Sequence, residues 1–284
     1  ITVATARPRR MWAALLAGAF AVVGLGSVLV YFVVAPGGSA VSNVIDNRAA
    51  DLPTPTPAPD LPARVKDKMV LIKGGQFMMG RNEADPSDER IYASQYPAHP
   101  VVVGDFYLDR TEVTNEEYAQ FVRDKNFDPP TDWSGGAPPL GREKFAVGNV
   151  SYLDANAFAD WVSARVGVPC RLPTEQEWEY AARSGAKDNV FPWGDQWMPD
   201  RTNFASGTAR AVGTDRDETE IGAIEDMMGN LLEWTSSQMD FYPGFPAEKQ
   251  ESIAGKITVR GVSYTKEGIA GLNKMNLLLT LRQG

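Results

Sequence analysis

Side chains that hold redox metals are nearly missing from this sequence, which has one cysteine and one histidine among 284 residues. One cysteine cannot form an internal disulfide, nor a site in which two thiolates hold a copper ion. One histidine cannot supply the two imidazoles of a facial non-heme iron site. These two counts limit the chemistry open to the chain more than any motif in it.

Positive charge is also scarce, because 28 lysines and arginines face 36 aspartates and glutamates, for a net charge of −8. Arg7, Arg9 and Arg10 precede any acidic residue, so the rest of the chain is more acidic still. Phosphate backbones are bound by positive fields, and we therefore expect no nucleic-acid partner. The glycines are scattered as turn glycines are, and none forms a phosphate-binding loop of the Walker kind.

Charge is absent between Met11 and Val34, where Ala, Val, Leu, Phe and Gly dominate. About 20 apolar residues suffice to span a bilayer as a helix. We therefore predict a transmembrane helix at residues 11–34, with the basic segment 1–10 in the cytoplasm by the positive-inside rule. This single-pass anchor in a bacterial inner membrane would place the C-terminal domain in the periplasm. A cleaved signal peptide, with small residues 37–40 as its cleavage site, is the alternative.

Prolines mark the next segment, residues 35–66, with five of them between Pro53 and Pro62. Their spacing favours an extended, semi-rigid chain and predicts a linker that holds the following domain away from the membrane. Residues 67–284 are then expected to form one domain, since about 220 residues can bury one sizeable core.

Local patterns within this domain predict both strands and helices. The strand candidates are Met69–Ile72, a segment around Phe77, Val101–Val103 and Phe106–Leu108. Three helix starts are indicated by Thr114 with Glu117, by Ser151, and by Thr174 with Glu177. The second of these helices is expected to end at Gly167 and the third near Gly185. Residues 186–284 show no clear periodicity.

The third helix carries the string Arg171-Leu-Pro-Thr-Glu-Gln-Glu-Trp-Glu-Tyr-Ala-Ala-Arg183. This string resembles the hallmark of the formylglycine-generating enzyme (sulfatase-modifying factor) family, which has a variant of the C-type lectin fold. Further matches follow in the family's order: Phe77-Met-Met-Gly80, Pro97-x-His99-x-Val101, Glu112-Val-Thr-Asn115, Pro192-Trp-Gly-Asp195, Asp226-Met-Met-Gly-Asn230, Glu233-Trp234 and Val259-Arg-Gly261. The resemblance implies an α+β domain of that fold with much irregular structure, following one N-terminal transmembrane helix.

The same resemblance implies where an active site would lie. Enzymes of the family oxidise a cysteine in sulfatases with a copper ion held by two thiolates, shortly after an Arg-Gly-Gly-Ser motif. Here the motif is Arg260-Gly-Val-Ser263, and no cysteine occurs from Tyr264 to Gly284. Related enzymes hold iron through several histidines, which this chain cannot supply either. We therefore expect no catalytic activity, no copper and no iron.

The single cysteine and the single histidine do not indicate a hydrolase instead. A free cysteine is most often a buried small apolar group, and Cys170 adjoins the central helix. His99 falls in the Pro-x-His-x-Val segment, where a hydrogen-bonded structural histidine is a better interpretation than a member of a Ser-His-Asp triad.

Calcium is the one metal that the resemblance leaves open. Carried over from the family, its ligands are Asp226, the carbonyl groups of Gly229 and Leu231, and Glu233. Mixed hard oxygen donors suit Ca²⁺. A second site would include Asn203, with Asp215 or Asp217 as the acidic partner. The alternative is a metal-free loop in which the carboxylates only accept hydrogen bonds.

A family scaffold without redox donors indicates a non-catalytic module. The anchor and the linker suggest that it works beside other membrane protein subunits, as an accessory or stabilising subunit of a respiratory or photosynthetic type of complex. Trp133 and Trp197 lie outside the family motifs and could anchor such an interface, although ordinary packing is the simpler explanation. Two alternatives stay open: a divergent metal-dependent oxidase, and an extracytoplasmic ligand sensor of a receptor truncated before Ile1.

Overall fold

A computed structural model describes residues 68–82, 95–214, 218–246 and 255–265, and the backbone of three short strands outside these ranges. The strands are β1 (Val28–Val30), β2 (Val33–Val34), β3 (Met69–Ile72), β4 (Gly75–Met79), β5 (His99–Val103), β6 (Phe106–Asp109), β7 (Leu232–Gln238), β8 (Ile257–Arg260) and β9 (Arg282–Gln283). The α-helices are α1 (Asn115–Lys125), α2 (Tyr152–Val166) and α3 (Glu175–Ala182). Short 3-10 helices occur at Ser134–Gly136, Gly185–Lys187 and Pro199–Arg201.

The strands described here form three small sheets, with the orders β1-β7-β8-β9, β2-β6-β3 and β4-β5. The pair β3–β6 is antiparallel and places Ile72 opposite Phe106. The pair β7–β8 is also antiparallel and places Glu233 opposite Arg260. Helix α3 packs against β4, β5, β7 and β8, so it lies where two of the sheets meet.

All three helices begin as their sequences predict. Thr114, Ser151 and Thr174 each accept a hydrogen bond from the backbone three residues on, and each is answered by an acidic side chain in a complete capping box. Gly167 ends α2 in the left-handed conformation, as expected. Helix α3 ends at Ala182, slightly before the predicted end near Gly185, and Ser184 is the first left-handed residue after it.

Two hydrophobic clusters fill the described part of the domain. One surrounds α3 and includes Trp178 together with residues of β3, β4 and β6. The other lies between α1 and α2, and we call its five large rings the aromatic cluster: Tyr118, Phe121, Trp133, Phe158 and Trp161. Burial of such rings is the main source of favourable free energy in a core of this kind.

Strand β7 has no counterpart in the predicted elements. Its burial alternates, but the inward-facing residues Glu233 and Thr235 are polar, so the hydrophobic alternation that announces a strand is missing. Apart from β7, β8 and the short 3-10 helices, the region from 186 to 265 is irregular wherever it is described, as the sequence predicts.

The predicted transmembrane helix at residues 11–34 is not supported. Among the described residues, no helix has the length and apolarity that a membrane crossing requires. The described end of that segment, Val28–Val30 and Val33–Val34, consists of strands that pair with β7 and β6. Branched valines fit extended chain, and pairing satisfies their backbone groups. The rest of the predicted helix, the segment 1–10 and the linker 35–66 lie outside the described residues.

Candidate functional site

Helix α3 buries three glutamates, and each finds its partners in a different part of the chain. Glu177 closes the capping box and also receives two hydrogen bonds from the Arg171 guanidinium, at 2.8 and 2.7 Å. Glu175 accepts a hydrogen bond from the Tyr242 hydroxyl at 2.8 Å. Glu179 is fully buried and belongs to an ion-pair network described next.

Glu179 lies between two arginine side chains, and we call these three residues the charged layer. Arg183 Nη1 lies 3.1 Å from Glu179 Oε1, and Arg260 Nη2 binds Oε2. The amide of Gly80 also donates to Oε1 at 2.8 Å. Burial opposes ionisation of Glu179, but the two guanidinium groups and this amide lower its pKa below the ordinary value. The charged layer therefore stays ionised inside the domain.

The charged layer connects to the candidate calcium loop through one indole ring. The Arg260 guanidinium lies 5.1 Å from the ring centroid of Trp178, a cation–π contact. The indole N–H of Trp178 donates to Oε2 of Glu233, which is fully buried at the start of β7. Arg260 is fully buried, so its guanidinium joins Glu179 and Trp178 within the interior.

Glu233 is one of three buried carboxylates in this region, with Glu112 and Asp226. Burial, and then the negative charges of Asp226 and Glu233, raise the pKa of Glu112 well above its ordinary value. Glu112 accepts hydrogen bonds from the side-chain amide of Asn230 and, at 3.2 Å, from the amide of Leu231. The region is rich in oxygen ligands and is electrically negative, which suits a hard cation.

The residues predicted to bind calcium are partly brought together. The carbonyl oxygen of Leu231 and Oε1 of Glu233 lie 3.5 and 3.8 Å from the point where a side chain on Gly261 would begin. Asp226 Oδ2 accepts a hydrogen bond from the amide of Gly213 at 2.8 Å. Within the described ranges, no three carboxylate, imidazole or thiol groups converge as a metal centre. A cation here would therefore depend on carbonyl oxygens, as the predicted set with Gly229 and Leu231 does.

Asn203 ties loops together in this structure. Its side-chain amide donates to the Thr208 carbonyl and to Asn230 Oδ1, both at 3.1 Å, and its Oδ1 accepts from the Ser206 hydroxyl at 2.5 Å. Its two candidate partners for a second calcium site, residues 215 and 217, lie outside the described residues. Asn203 therefore connects its own loop to Asn230 in the predicted calcium loop by hydrogen bonds.

The residues present do not fit a two-thiolate copper site. Cys170 is 6% exposed and packs in the cluster that contains the aromatic rings. Burial, and next the charge of Asp109, raise the pKa of its thiol to about 11, so the thiolate that a soft metal needs is disfavoured. The described residues of the motif and beyond it, Arg260 to Thr265, offer hydroxyl groups and no sulfur.

The lone histidine and the two tryptophans singled out from sequence make packing contacts. His99 Nδ1 lies 3.2 Å from the Pro97 carbonyl, and its ring meets Tyr242 edge-on at 4.5 Å. Trp133 is 5% exposed within the aromatic cluster. Trp197 is half-buried, with its ring 5.5 Å from that of Phe191. These contacts favour the packing interpretation for Trp133.

Sequence reasoning did not identify Glu112, Glu179 or Arg183 as site residues. Glu112 and Arg183 stand inside family strings, but their partners come from distant segments. Arg260, for example, lies 81 residues after Glu179. The signal that was available is an acidic residue flanked by apolar ones, as in Trp178-Glu179-Tyr180, which is unusual for a solvated face.

The sequence matches one family model and several individual proteins. The family model for the sulfatase-modifying factor enzyme 1-like domain matches residues 55–275. The chain is 31% identical over 222 residues to the inactive C-alpha-formylglycine-generating enzyme 2 of Mus musculus, covering 60% of this chain and 68% of that protein. It is 30% identical over 240 residues to the formylglycine-generating enzyme of Mycobacterium tuberculosis, covering 62% and 75%.

A solved structure agrees with the fold. PvdO from Pseudomonas aeruginosa matches 76% of this chain and 87% of its own, with a TM-score of 0.59 and 23% identity. At this identity the likeness concerns the fold alone. It supports the expected variant of the lectin-like architecture.

Proposed function

Because the chain belongs to the sulfatase-modifying factor family, we propose that it is a non-catalytic member that keeps the scaffold and lacks the redox centre. The observation that carries this proposal is the number of thiol groups in the chain. A single cysteine occurs in the sequence, and it is buried with a raised pKa. Two soft thiolates cannot be assembled from it.

Relatives support a family in which activity differs from member to member. The relative from Mus musculus is named inactive, whereas the one from Mycobacterium tuberculosis is named as an enzyme. Membership alone therefore does not decide activity, and the available metal ligands do. In this chain the Arg260 side chain is committed to an ion pair with Glu179 in the interior.

Metal analysis of the purified protein tests this proposal. We expect less than about 0.1 copper or iron per chain after purification without chelators, since neither thiolate nor imidazole donors are available in pairs. The Cys170→Ser variant is the matched control and should give the same result. Stoichiometric copper or iron that survives in the wild type would contradict the proposal and favour a divergent oxidase.

We further propose that the module is an accessory subunit of a larger membrane complex, with its domain in the periplasm. The uncharged residues 11–34 and the proline-rich residues 35–66 support a tethered module. The irregular loops between α3 and β7 suit recognition, because a rigid scaffold can position variable segments. Purification of the full chain in mild detergent should yield a stoichiometric complex with other membrane proteins. Recovery of the chain alone, or in the absence of membranes, would contradict this role.

Calcium binding at the start of β7 is a separate proposal, supported by the oxygen donors around Glu233. Asp226, the carbonyls of Gly229 and Leu231, and Glu233 would hold the ion. Calcium at 100 times its dissociation constant should raise the free energy of unfolding by about 2.7 kcal/mol. Asp226→Asn should remove most of this gain, whereas the exposed Asp124→Asn should keep it. A wild type that calcium does not stabilise would contradict the site.

A further inference from the structure

An open groove of about 510 Å³ runs beside β3. Leu71, Ile72 and Lys73 line one side of it, and the short helix Gly185–Lys187 with Ile221 lines the other. In the described part of the chain, β3 is the last strand of its sheet, with β6 as its neighbour. The groove therefore follows the outer edge of a strand.

The backbone of this edge is arranged to accept another strand. The amide of Arg110 donates to the carbonyl of Lys68 at 2.9 Å, which sets the alternation of the antiparallel ladder. By this alternation Val70 and Ile72 exchange hydrogen bonds with β6, and the N–H and C=O of Leu71 face the outer edge. The carbonyl of Lys73 is already used by the Tyr180 hydroxyl at 3.0 Å, so the free edge ends there.

The groove offers apolar surface below that edge. Ile72 and Tyr180 form a buried floor, at 1% and 4% exposure, and Ile221 is half-buried. Leu71 is 37% exposed, which is high for a leucine in a strand. A strand added at β3 would place alternate side chains against this floor, because side chains of a strand point to opposite faces in turn.

Two lysines stand at the rim of the groove, in a chain whose net charge is −8. Lys73 pairs with Asp105 at 2.7 Å and Lys187 pairs with Glu220 at 3.1 Å, yet their side chains are 74% and 54% exposed. Each ammonium group has three N–H donors, and the one ion pair that holds it leaves room for a second acceptor. Acidic groups on a bound segment can therefore share either lysine with its present carboxylate.

We propose that the β3 edge binds an extended peptide segment of a partner protein by strand addition. The segment would be apolar at alternate positions, to fill the groove, and acidic near its ends, to meet Lys73 and Lys187. Main-chain hydrogen bonds to Leu71 supply affinity and the floor supplies selectivity, as in other cases of strand addition. This inference rests on the proposed accessory role, for which it names the binding surface.

The test is a titration of the full chain with the capped peptide Glu-Val-Thr-Val-Thr-Val-Glu. We expect a dissociation constant of about 0.1–1 mM, with chemical-shift changes at the Leu71 amide. An analogue with all central amides N-methylated should bind at least about tenfold more weakly, because it cannot donate hydrogen bonds. A peptide with lysine at both ends should also bind more weakly.

Matched variants locate the site. Leu71→Asp should weaken peptide binding at least about tenfold, while Met78→Asp, at a similarly exposed position on β4, should leave it unchanged. No binding up to about 1 mM, equal binding of the N-methylated analogue, or equal loss in both variants would overturn the proposal. So would a Leu71-dependent dimer in light scattering without peptide binding, since the occupant would then be a second copy.

The two proposals fail separately. Copper in the purified chain would overturn the non-catalytic role without changing peptide binding. A co-purifying membrane complex that survives Leu71→Asp would leave the accessory role standing and overturn the groove as its binding surface.

Discussion

The aromatic cluster and the charged layer both lie in the interior of the domain, but different interactions stabilise them. In the aromatic cluster, Phe158 has ring centroids of Tyr118, Phe121 and Trp161 within 5.3 to 5.5 Å of its own. In the charged layer, Glu179 and Arg260 are fully buried as an ion pair. The first depends on apolar area and shape, and the second depends on every charge keeping its partner.

This difference determines how much stability each region loses when a residue is substituted. A smaller apolar side chain leaves an aromatic cluster with less contact but with no unpaired polar group. Loss of one charge in a buried pair leaves the other without compensation. The charged layer should therefore be the more fragile region, although it is smaller.

Arg260→Met should have the largest effect on stability. It replaces the guanidinium with an apolar side chain and leaves Glu179 with Arg183 as its one remaining cation among the described residues. We expect a loss of about 3–5 kcal/mol in the free energy of unfolding, measured by urea denaturation. Arg165→Met is the control, because Arg165 pairs with Asp124 at the surface and should lose at most about 1 kcal/mol. Equal losses in both variants would contradict the fragility of the charged layer.

Asp109 allows the comparison to be made by pH, because the charge of this buried carboxylate acts on Cys170, which packs in the same hydrophobic cluster as the aromatic rings. Burial raises its pKa from 3.8 to about 6, although Lys68 opposes the shift from 3.2 Å. The folded state therefore prefers the protonated form, and stability is lost as pH rises from about 4 through 6. Relative to Asp109→Asn, the wild type should lose about 1–3 kcal/mol between pH 4 and pH 7.

Glu179 should behave in the opposite way. Its pKa is lowered in the fold, so its contribution is present above the ordinary pKa and disappears as pH falls through the folded value. Urea denaturation of Glu179→Gln against wild type should therefore show the difference shrinking in acid. Asp109 shares its one lysine, Lys68, with Glu117, whereas Glu179 pairs with two arginines. The same sign for the Asp109 and Glu179 variants would contradict this contrast.

Phe158→Leu should have a smaller effect than Arg260→Met. The leucine keeps most of the apolar volume among Tyr118, Phe121 and Trp161, and we expect a loss of about 1–1.5 kcal/mol. Thermal unfolding followed by near-ultraviolet circular dichroism reports both the loss and the packing of the rings. A loss that matches Arg260→Met would mean that the aromatic cluster is as intolerant as the charged layer.

Ser151→Ala should have the smallest effect among these changes. It removes the cap of α2 and leaves the aromatic cluster intact, at a cost of about 1 kcal/mol or less. Amide hydrogen exchange should show faster opening in the first turn of α2, with little change around Phe158. Uniformly faster exchange through α2 would contradict a local role.

The sequence predicts these regions unequally, for a physical reason. Helix caps depend on residues three positions apart, so Thr114, Ser151 and Thr174 are recognised locally. The charged layer depends on Arg260, which reaches Glu179 from 81 positions away, and no local pattern records that pairing. Strand β7 is hidden for a related reason, because its buried face is polar.

The candidate site shows the same difference between contacts within one segment and contacts between distant segments. The motif predicts that Leu231 and Glu233 act together, and in the structure the Leu231 carbonyl and the Glu233 carboxylate both lie near Gly261. The hydrogen bonds of Asn203 to Ser206, Thr208 and Asn230 join separate segments, and the motif does not record them. Spacing within one segment is predictable, and contacts between segments are not.

A turnover assay most directly tests the claim that this chain keeps the family's fold and lacks its redox centre. The purified chain would be loaded with copper and incubated in air with a synthetic sulfatase peptide that contains the target cysteine, beside an active formylglycine-generating enzyme. We predict no conversion of the cysteine to an aldehyde by mass spectrometry, while the active enzyme converts it. Copper-dependent formation of the aldehyde by this chain would contradict the account.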